Sequence, residues 1–291
     1  MHKFFLNIKK FLLTSRYDKP HGILLLYYPC LWGLSLSDKN IQEVFHLCII
    51  FFLGACGMRS VGCIWNDIND KKFDMFVERT KKRLIATGEV SKREAFIYAF
   101  INLCIGIIPL FFINKFSIIL CLAIIPLIAS YPFMKRITWW PQLWLGINFN
   151  WGVLIGYYSL KEPHVSLNII LFYLGCIFWT TAYDTIYGFQ DIEDDLKLGV
   201  KSTSIKFRSS YKAFLIVNYS ICFLCWATSI YFYNTNIIIL LILSVLFLII
   251  IKSVTGTKIE KPESCEKSFK KNSYFGLSVT ALLALNNILF I

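Results

Sequence analysis

The chain is laid out as long apolar blocks separated by shorter polar stretches. Runs of about 20 apolar residues, the length a bilayer core asks of a helix, lie near 22–37, 44–65, 95–113, 116–134, 141–160, 166–187, 212–233, 236–254 and 273–291. They predict an all-α polytopic membrane protein with about nine transmembrane helices. Residues 1–18 are too interrupted for such a run or for a signal-peptide core, and too short and too poor in Arg and Ser for a transit peptide. They are expected to lie on the membrane surface as a basic amphipathic segment, leaving 19–291 as a single transmembrane domain. A weak repeat runs through that domain. Asp70 and Asp191 are 121 residues apart, as are Asp74 and Asp195, and Trp32-Gly33 and Trp151-Gly152 are 119 apart. The repeat predicts two four-helix halves, about 20–134 and 141–254, around a central cavity, with the ninth helix peripheral.

Composition agrees with this pattern. Hydrophobic residues make up 56% and charged residues 16%, with mean hydropathy +0.58. A soluble fold of 291 residues needs more polar surface than that. The net charge of +12 would fit a nucleic-acid partner, but its distribution does not. When the gaps between blocks are assigned to alternate sides, nearly all Lys and Arg fall on one side. The exceptions are Lys39, Lys115, Lys161 and Arg59, the last lying within a block. Such asymmetry follows the positive-inside rule. It puts the N-terminus and residues 67–93 and 196–211 on the cytoplasmic or matrix side, with the C-terminus opposite.

Two acidic segments interrupt the apolar pattern, both on the basic side. One is Asn66-Asp67-Ile68-Asn69-Asp70-Lys71-Lys72-Phe73-Asp74; the other is Asp184 followed by Asp191-Ile192-Glu193-Asp194-Asp195. Carboxylates near lipid are costly and mark functional sites. At about 100° per residue Asn66, Asp70 and Asp74 share one helical stripe, and Asp184, Asp191 and Asp195 share another. Facing stripes of hard oxygen donors call for divalent cations, and Mg²⁺ completes its shell with water and phosphate oxygens. The pattern therefore reads as a membrane-embedded site for a Mg²⁺-diphosphate. Arg79, Lys81, Lys82, Arg83, Lys135, Arg136, Lys197 and Lys201 follow the acidic segments or close neighbouring loops. Such cations serve either as membrane anchors or as neutralisers of a departing diphosphate. Arg136 best fits the second role, because it closes a short loop beside Tyr131 and Pro132. Arg59, one helical face from Asn66, either pairs with the carboxylates or receives a substrate carboxylate. The ten cysteines and four histidines (His2, His21, His46, His164) form no metal or disulfide pattern. Cys222 and Cys225 read as small apolar residues within a span.

Several words in the chain carry a resemblance. Asn66–Asp74 is similar to an NDxxDxxxD motif and Asp191/Asp195 to a second DxxxD motif. Arg16-Tyr17-Asp18-Lys19-Pro20-His21-Gly22 resembles an RxDKPxG segment. Tyr131-Pro132-Phe133-Met134-Lys135-Arg136, Tyr183-Asp184-Thr185-Ile186-Tyr187 and Gly199-Val200-Lys201-Ser202-Thr203-Ser204 match further. From about residue 15 onward the chain resembles the UbiA superfamily of intramembrane prenyltransferases, most closely its 4-hydroxybenzoate polyprenyltransferase branch of ubiquinone biosynthesis. It departs from that pattern at Arg83-Leu84 and Phe207-Arg208, where the family has Arg-Pro and Phe-Gly. Both departures lie in loops that cap the cavity in the family.

The resemblance implies transfer of a polyprenyl chain from its diphosphate to the carbon ortho to the hydroxyl of 4-hydroxybenzoate, with Mg²⁺ as cofactor. It implies Asn66, Asp67, Asp70, Asp74, Asp191 and Asp195 as metal ligands and Asp191 and Arg136 as catalytic residues. Arg59, Arg83, Tyr131, Lys135, Asp184 and Tyr187 would bind substrates. The allylic cation needs a dry chamber with aromatic walls, and the apolar chain would arrive from the bilayer. The alternative within the family is a related prenyltransferase with another aromatic or tetrapyrrole acceptor, against which the Tyr183–Tyr187 and Gly199–Thr203 words favour 4-hydroxybenzoate. Outside it, a cation-coupled transporter would share the spans and the repeat. It would not place acids and cations together at the basic-side helix ends, and no Gly/Pro-broken helix pair marks it. The absence of a transit peptide and the richness in Ile, Lys, Asn and Phe point to a bacterial inner membrane, with the mitochondrial inner membrane as the alternative.

Overall fold

A computed structural model describes residues 2–37, 41–233 and 236–290, with side chains over 5–37, 44–233 and 236–287. Lys39 and the end of the last expected span at residue 291 lie outside the described residues. Among those described there is no strand. The helices are α1 (His2–Thr14), α2 (Pro20–Ser35), α3 (Ile41–Asp74), the single turn α4 (Leu84–Thr87), α5 (Lys92–Gly106), α6 (Lys115–Ala123), α7 (Ile125–Ile137), α8 (Pro141–Asn150) and α9 (Gly152–Tyr158). They continue as α10 (Leu167–Gly188), α11 (Ile192–Leu198), α12 (Thr203–Lys206), α13 (Tyr211–Tyr233), α14 (Ile237–Thr255) and α15 (Pro262–Phe290).

Six helical stretches are long and apolar enough to cross a membrane: Val44–Asp74, Lys92–Phe111, Lys115–Ile137, Leu167–Leu198, Arg208–Tyr233 and Ile237–Thr255. The chain is a multi-pass, all-helical membrane protein. The other expected spans are helical but differ in kind. The 22–37 block is the 16-residue α2, and the 141–160 block is interrupted at Trp151 between α8 and α9. The 273–291 block begins inside α15, which carries Asn272, Ser273 and Asn286 among its apolar residues. Large side chains such as Phe100, Phe111, Ile119, Leu241 and Leu248 point outward, as a lipid-facing surface requires.

The interior is aromatic. Trp32 of α2, Phe172 and Trp179 of α10, Trp226 of α13, Phe247 of α14 and Phe275 of α15 meet with ring centroids 5.0–6.2 Å apart. Their polar edges are satisfied, as buried indoles and phenols require. Trp32 donates to Thr280 Oγ1 at 2.8 Å, and Trp179 and the Tyr219 hydroxyl both donate to Asn272 Oδ1. Glycines set the closest helix approaches. A Cβ on Gly33 would lie 2.2 Å from the Val153 carbonyl oxygen, and one on Gly156 would lie 2.3 Å from that of Cys30. A Cβ on Gly152 would meet Cys30 Sγ at 2.6 Å. The repeated Trp-Gly words therefore sit against one another where α2 crosses α9.

Two helices deliver the acidic motifs. At 1.5 Å per residue, the 34 residues of α3 extend about 51 Å. That exceeds a hydrocarbon core of about 30 Å, so the Asn66–Asp74 turns reach its polar end. The chain then turns through residues 75–83 and re-enters as α5. A capping box starts α5: Ser91 Oγ accepts from the Glu94 amide at 3.2 Å, and Glu94 Oε2 accepts from the Ser91 amide at 2.8 Å. The second helix, α10, stops at Gly188. A 3₁₀ turn over Phe189–Asp191 follows, and then α11.

Candidate active site

The two acidic segments converge on a polar pocket of about 170 Å³, which adjoins a larger chamber of about 750 Å³. Asn66, Asp70 and Asp74 line the polar pocket along α3, so the first stripe forms as the helical period requires. Asp191 and Asp195 enter from the other side. Asp184 does not join them. The 3₁₀ turn breaks the expected second stripe, and Asp184 faces the larger chamber instead. A close approach accompanies that break: a Cβ on Gly188 would lie 2.4 Å from Ser204 Oγ.

Cations occupy most of the polar pocket's carboxylates. Lys135 Nζ lies 2.7 Å from Asp70 Oδ2, and Arg136 Nη2 lies 3.4 Å from Asp70 Oδ1 and donates to the Asn69 carbonyl at 3.1 Å. Arg136 is exposed at the rim, over the rings of Phe73 and Phe133. Arg83 Nη1 donates to Asp74 Oδ2 and to Asp67 Oδ1, each at 2.9 Å. Burial opposes the Arg83 charge, but Asp67 and Asp74 outweigh it and raise its pKa above the ordinary arginine value. Arg79 grips Asp191 with two nitrogens, Nε to Oδ1 at 2.8 Å and Nη2 to Oδ2, while its Nη1 donates to the Tyr187 hydroxyl at 2.8 Å. The Asp195 carboxylate has no hydrogen bond or ion pair among the described residues.

Asp67 sits apart from the α3 stripe. It is buried, lines the larger chamber, and is held by Arg16 as well as Arg83. One residue on from Asn66, it is turned about 100° away from the pocket-facing row. It therefore faces the larger chamber and not the pocket lined by the other expected metal ligands.

The larger chamber is mostly apolar, with a few polar groups held out of water. Leu25, Leu26, Met58, Leu145 and Phe149 line it, together with Arg59, Asn148, Tyr183, Asp184 and Tyr187. Arg59 makes no ion pair with either acidic stripe. Its guanidinium stands 5.2 Å from the Phe149 ring centre, and its Nε is buried without a hydrogen-bond partner. The Tyr183 hydroxyl is likewise buried and unpartnered. Of the two expectations for Arg59, charge neutralisation of the stripe has no contact behind it. Asn66, Arg79, Arg83, Tyr131 and Pro132 border both chambers and form the wall between them.

No three Asp, Glu, His or Cys side chains among the described residues converge into a ready-made metal cage. The donor chemistry nonetheless suits a hard cation, since an amide oxygen and four carboxylates line one small pocket. Mg²⁺ characteristically takes one or two carboxylates and completes its octahedron with phosphate and water. Loading would require the cations now on Asp70, Asp74 and Asp191 to move onto another anion. A diphosphate supplies one.

Arg79 is the main residue that sequence reasoning left undistinguished. Its local sequence looks no different from Lys81 and Lys82, yet Lys81 pairs only with the exposed Glu78. Arg16 lay in a quoted motif with no role attached, and Asn148, Glu266 and Lys270 joined the chamber from other helices without any local signal.

The sequence matches the UbiA prenyltransferase family over residues 26–279. It is 36% identical over 287 residues to the mitochondrial 4-hydroxybenzoate polyprenyltransferase of Bos taurus, covering 97% of this chain and 76% of that one. It is 33% identical over 282 residues to the Drosophila pseudoobscura pseudoobscura protein of the same name, covering 97% and 71%. A UbiA homolog from Aeropyrum pernix K1, solved in the apo state, shares the fold with TM-score 0.70 and 21% identity, covering 92% of this chain and 97% of that one. A UbiA homolog from Archaeoglobus fulgidus bound to GPP and Mg²⁺ aligns with TM-score 0.65 and 19% identity, covering 95% and 99%.

Proposed function

This chain belongs to the UbiA prenyltransferase family, and from that membership and its two chambers we propose that it prenylates 4-hydroxybenzoate in ubiquinone biosynthesis. It moves a polyprenyl group from polyprenyl diphosphate to the ring carbon ortho to the hydroxyl and releases diphosphate. The observation that carries this reading is the shared wall. A pocket of carboxylates and cations suited to a metal-diphosphate abuts an apolar chamber holding an unpartnered arginine. The two reacting partners thus meet at Asn66, Arg79, Arg83 and Tyr131.

Asn66, Asp70, Asp74, Asp191 and Asp195 would hold Mg²⁺, which supplies charge neutralisation for the leaving diphosphate. Lys135, Arg136, Arg79 and Arg83 exchange their carboxylate partners for diphosphate oxygens and stabilise the negative charge that grows there as the C–O bond breaks. Arg136 and Asp191 are the residues whose charge acts nearest that bond. Tyr131 and Tyr187 border the chambers and help confine the prenyl head. Arg59 receives the carboxylate of 4-hydroxybenzoate, which satisfies its buried Nε and fixes the ring's orientation. The apolar walls keep water from quenching the allylic cation.

Nine membrane-associated segments, two four-helix halves α2–α7 and α8–α14 with α15 as the ninth, fit this site at their interface. The α15 helix is not peripheral as expected, because its Asn272 and Phe275 are built into the aromatic interior. The basic side with both acidic motifs faces the cytoplasm in a bacterial inner membrane. In a mitochondrial inner membrane, which would fit relatives named as mitochondrial, that side faces the matrix. Membranes carrying the protein, given radiolabelled 4-hydroxybenzoate, Mg²⁺ and prenyl diphosphates of several lengths, are expected to form a lipid-extractable prenylated acid. Formation of no such product with any donor would overturn the assignment.

A further inference from the structure

Aromatic prenylation leaves one proton to be managed. As the ring attacks, the electron pair that makes the new C–C bond is supplied most readily when the phenolic hydroxyl gives up its hydrogen. The acceptor of that hydrogen has to sit in the dry chamber rather than in the diphosphate pocket. Asp191 is poorly placed for it, since it lines the polar pocket among the residues that would hold Mg²⁺ and does not line the larger chamber. Asp184 is placed differently. It is half-buried in the larger chamber, and its carboxylate makes no hydrogen bond or ion pair among the described residues. The turn at Phe189–Asp191 keeps it apart from the metal-ligating positions.

We propose that Asp184 is a catalytic residue, the base that takes the phenolic proton of the acceptor in the chamber where Arg59 holds its carboxylate. This rests on the proposed substrate. The acceptor's carboxylate and hydroxyl lie at opposite ends of the ring, and the chamber offers an unpartnered cation and an unpartnered anion to match. The groups that face Asp184 are Arg59 from α3, Arg79 from the loop after α3, Tyr131 from α7 and Tyr183 on its own helix. Of the other carboxylates that line the chamber, Asp67 is held by Arg16 and Arg83, Glu266 is paired with Lys270, and Asp18 is exposed.

The step balances without any further reactant. The prenyl C–O bond breaks and its electron pair leaves with diphosphate. The ring carbon ortho to the hydroxyl bonds to the prenyl carbon while the hydroxyl proton passes to Asp184, giving a neutral dienone. The hydrogen on the newly substituted carbon is then lost to the released diphosphate. The ring regains its aromaticity, and its oxygen takes the proton back from Asp184, which is restored as a carboxylate.

The test uses the full-length protein in lipid nanodiscs with 4-hydroxybenzoate and with an acceptor bearing fluorine beside the hydroxyl, whose phenol ionises more readily. Asp184→Asn should lower kcat by about 100-fold or more, the usual share of a general base, with both KM values changed by no more than about threefold. The loss should shrink by about tenfold with the fluorinated acceptor, and the variant's rate should rise with pH where the wild-type rate is level. Turnover within about threefold of wild type, or the same loss with both acceptors, overturns Asp184 as the base. If Asp184→Asn does not fold, Asp184→Ala with added formate carries the test: restored turnover is expected, and no restoration overturns the assignment. Wild-type protein that prenylates neither acceptor would instead overturn the substrate reading.

Discussion

The polar pocket and the apolar chamber share a wall, but most of the pocket's carboxylates are paired while two charges of the chamber, Arg59 and Asp184, are left open. In the polar pocket Asp70, Asp74 and Asp191 each carry a lysine or arginine at ion-pair distance. In the apolar chamber Arg59 and Asp184 have neither an ion pair nor a hydrogen bond among the described residues. Both arrangements answer the same cost, the removal of charge from water, but they prepare for different ligands. The polar pocket is balanced by ion pairs that a metal-diphosphate can exchange one for one, because it brings both cation and anion. An aromatic acid with one carboxylate and one hydroxyl cannot exchange pairs in that way. Groups left open in advance suit it better, since their desolvation has already been met by the fold.

The contrast can be broken most severely at Asp70. Asp70→Asn leaves Lys135 and Arg136 without their anion and replaces a charged metal donor with a neutral one, so turnover is expected to fall by about 100-fold or more. Binding of 4-hydroxybenzoate, followed by fluorescence or calorimetry, should hardly change. An equal weakening of acceptor binding would show that the chambers are not separate in function. A smaller effect is expected in the other chamber. Arg59→Ala should weaken the acceptor by about 1.5–3 kcal/mol, the value of a charge-assisted hydrogen bond, and leave the donor KM unchanged. The penalty should shrink for an acceptor without a carboxylate; if it is the same for every acceptor, Arg59 serves structure alone. The smallest effect is expected just outside both chambers. Lys81→Ala removes only an exposed pair with Glu78, so stability should change by no more than about 0.5 kcal/mol and kinetics not at all. A large loss of donor affinity there would mean that the loop cations act collectively and that Arg79 has no special place.

Much of this contrast was legible in the sequence, for reasons that differ by residue. Asn66, Asp70 and Asp74 could be placed together because α3 runs unbroken through the motif, so a helical period read from the sequence survives in space. The same reasoning misplaced Asp184, because the helix stops at Gly188 and rewinds before Asp191. That stop coincides with a contact to Ser204, and no local pattern encodes it. The break at Trp151 between α8 and α9 escaped notice for a related reason, since hydropathy sees an apolar block and not its continuity. Arg79 was hidden by company: four cations follow Asp74 within nine residues, and only the return of the chain toward α10 selects one of them. Arg59 was singled out from the start because a charge within an apolar block has no other easy explanation.

The crossing of α2 and α9 has a consequence for the order in which the protein is assembled. Gly33 leaves the ribosome about 120 residues before Val153, the residue whose carbonyl it abuts. At 5–20 residues per second that interval is roughly 6–24 s. Throughout it, α2 waits with Gly33 and the small Cys30 side chain on the face that α9 will cover. Helix association in a bilayer depends on close packing rather than on escape from water, and small residues allow the closest approach, which is what this face offers. It fits a partner that brings glycines of its own, as α9 does with Gly152 and Gly156. The early part of the chain is thus kept open for its late part, and nascent protein cut off before α9 would be left with an unmatched surface and no enclosed chamber.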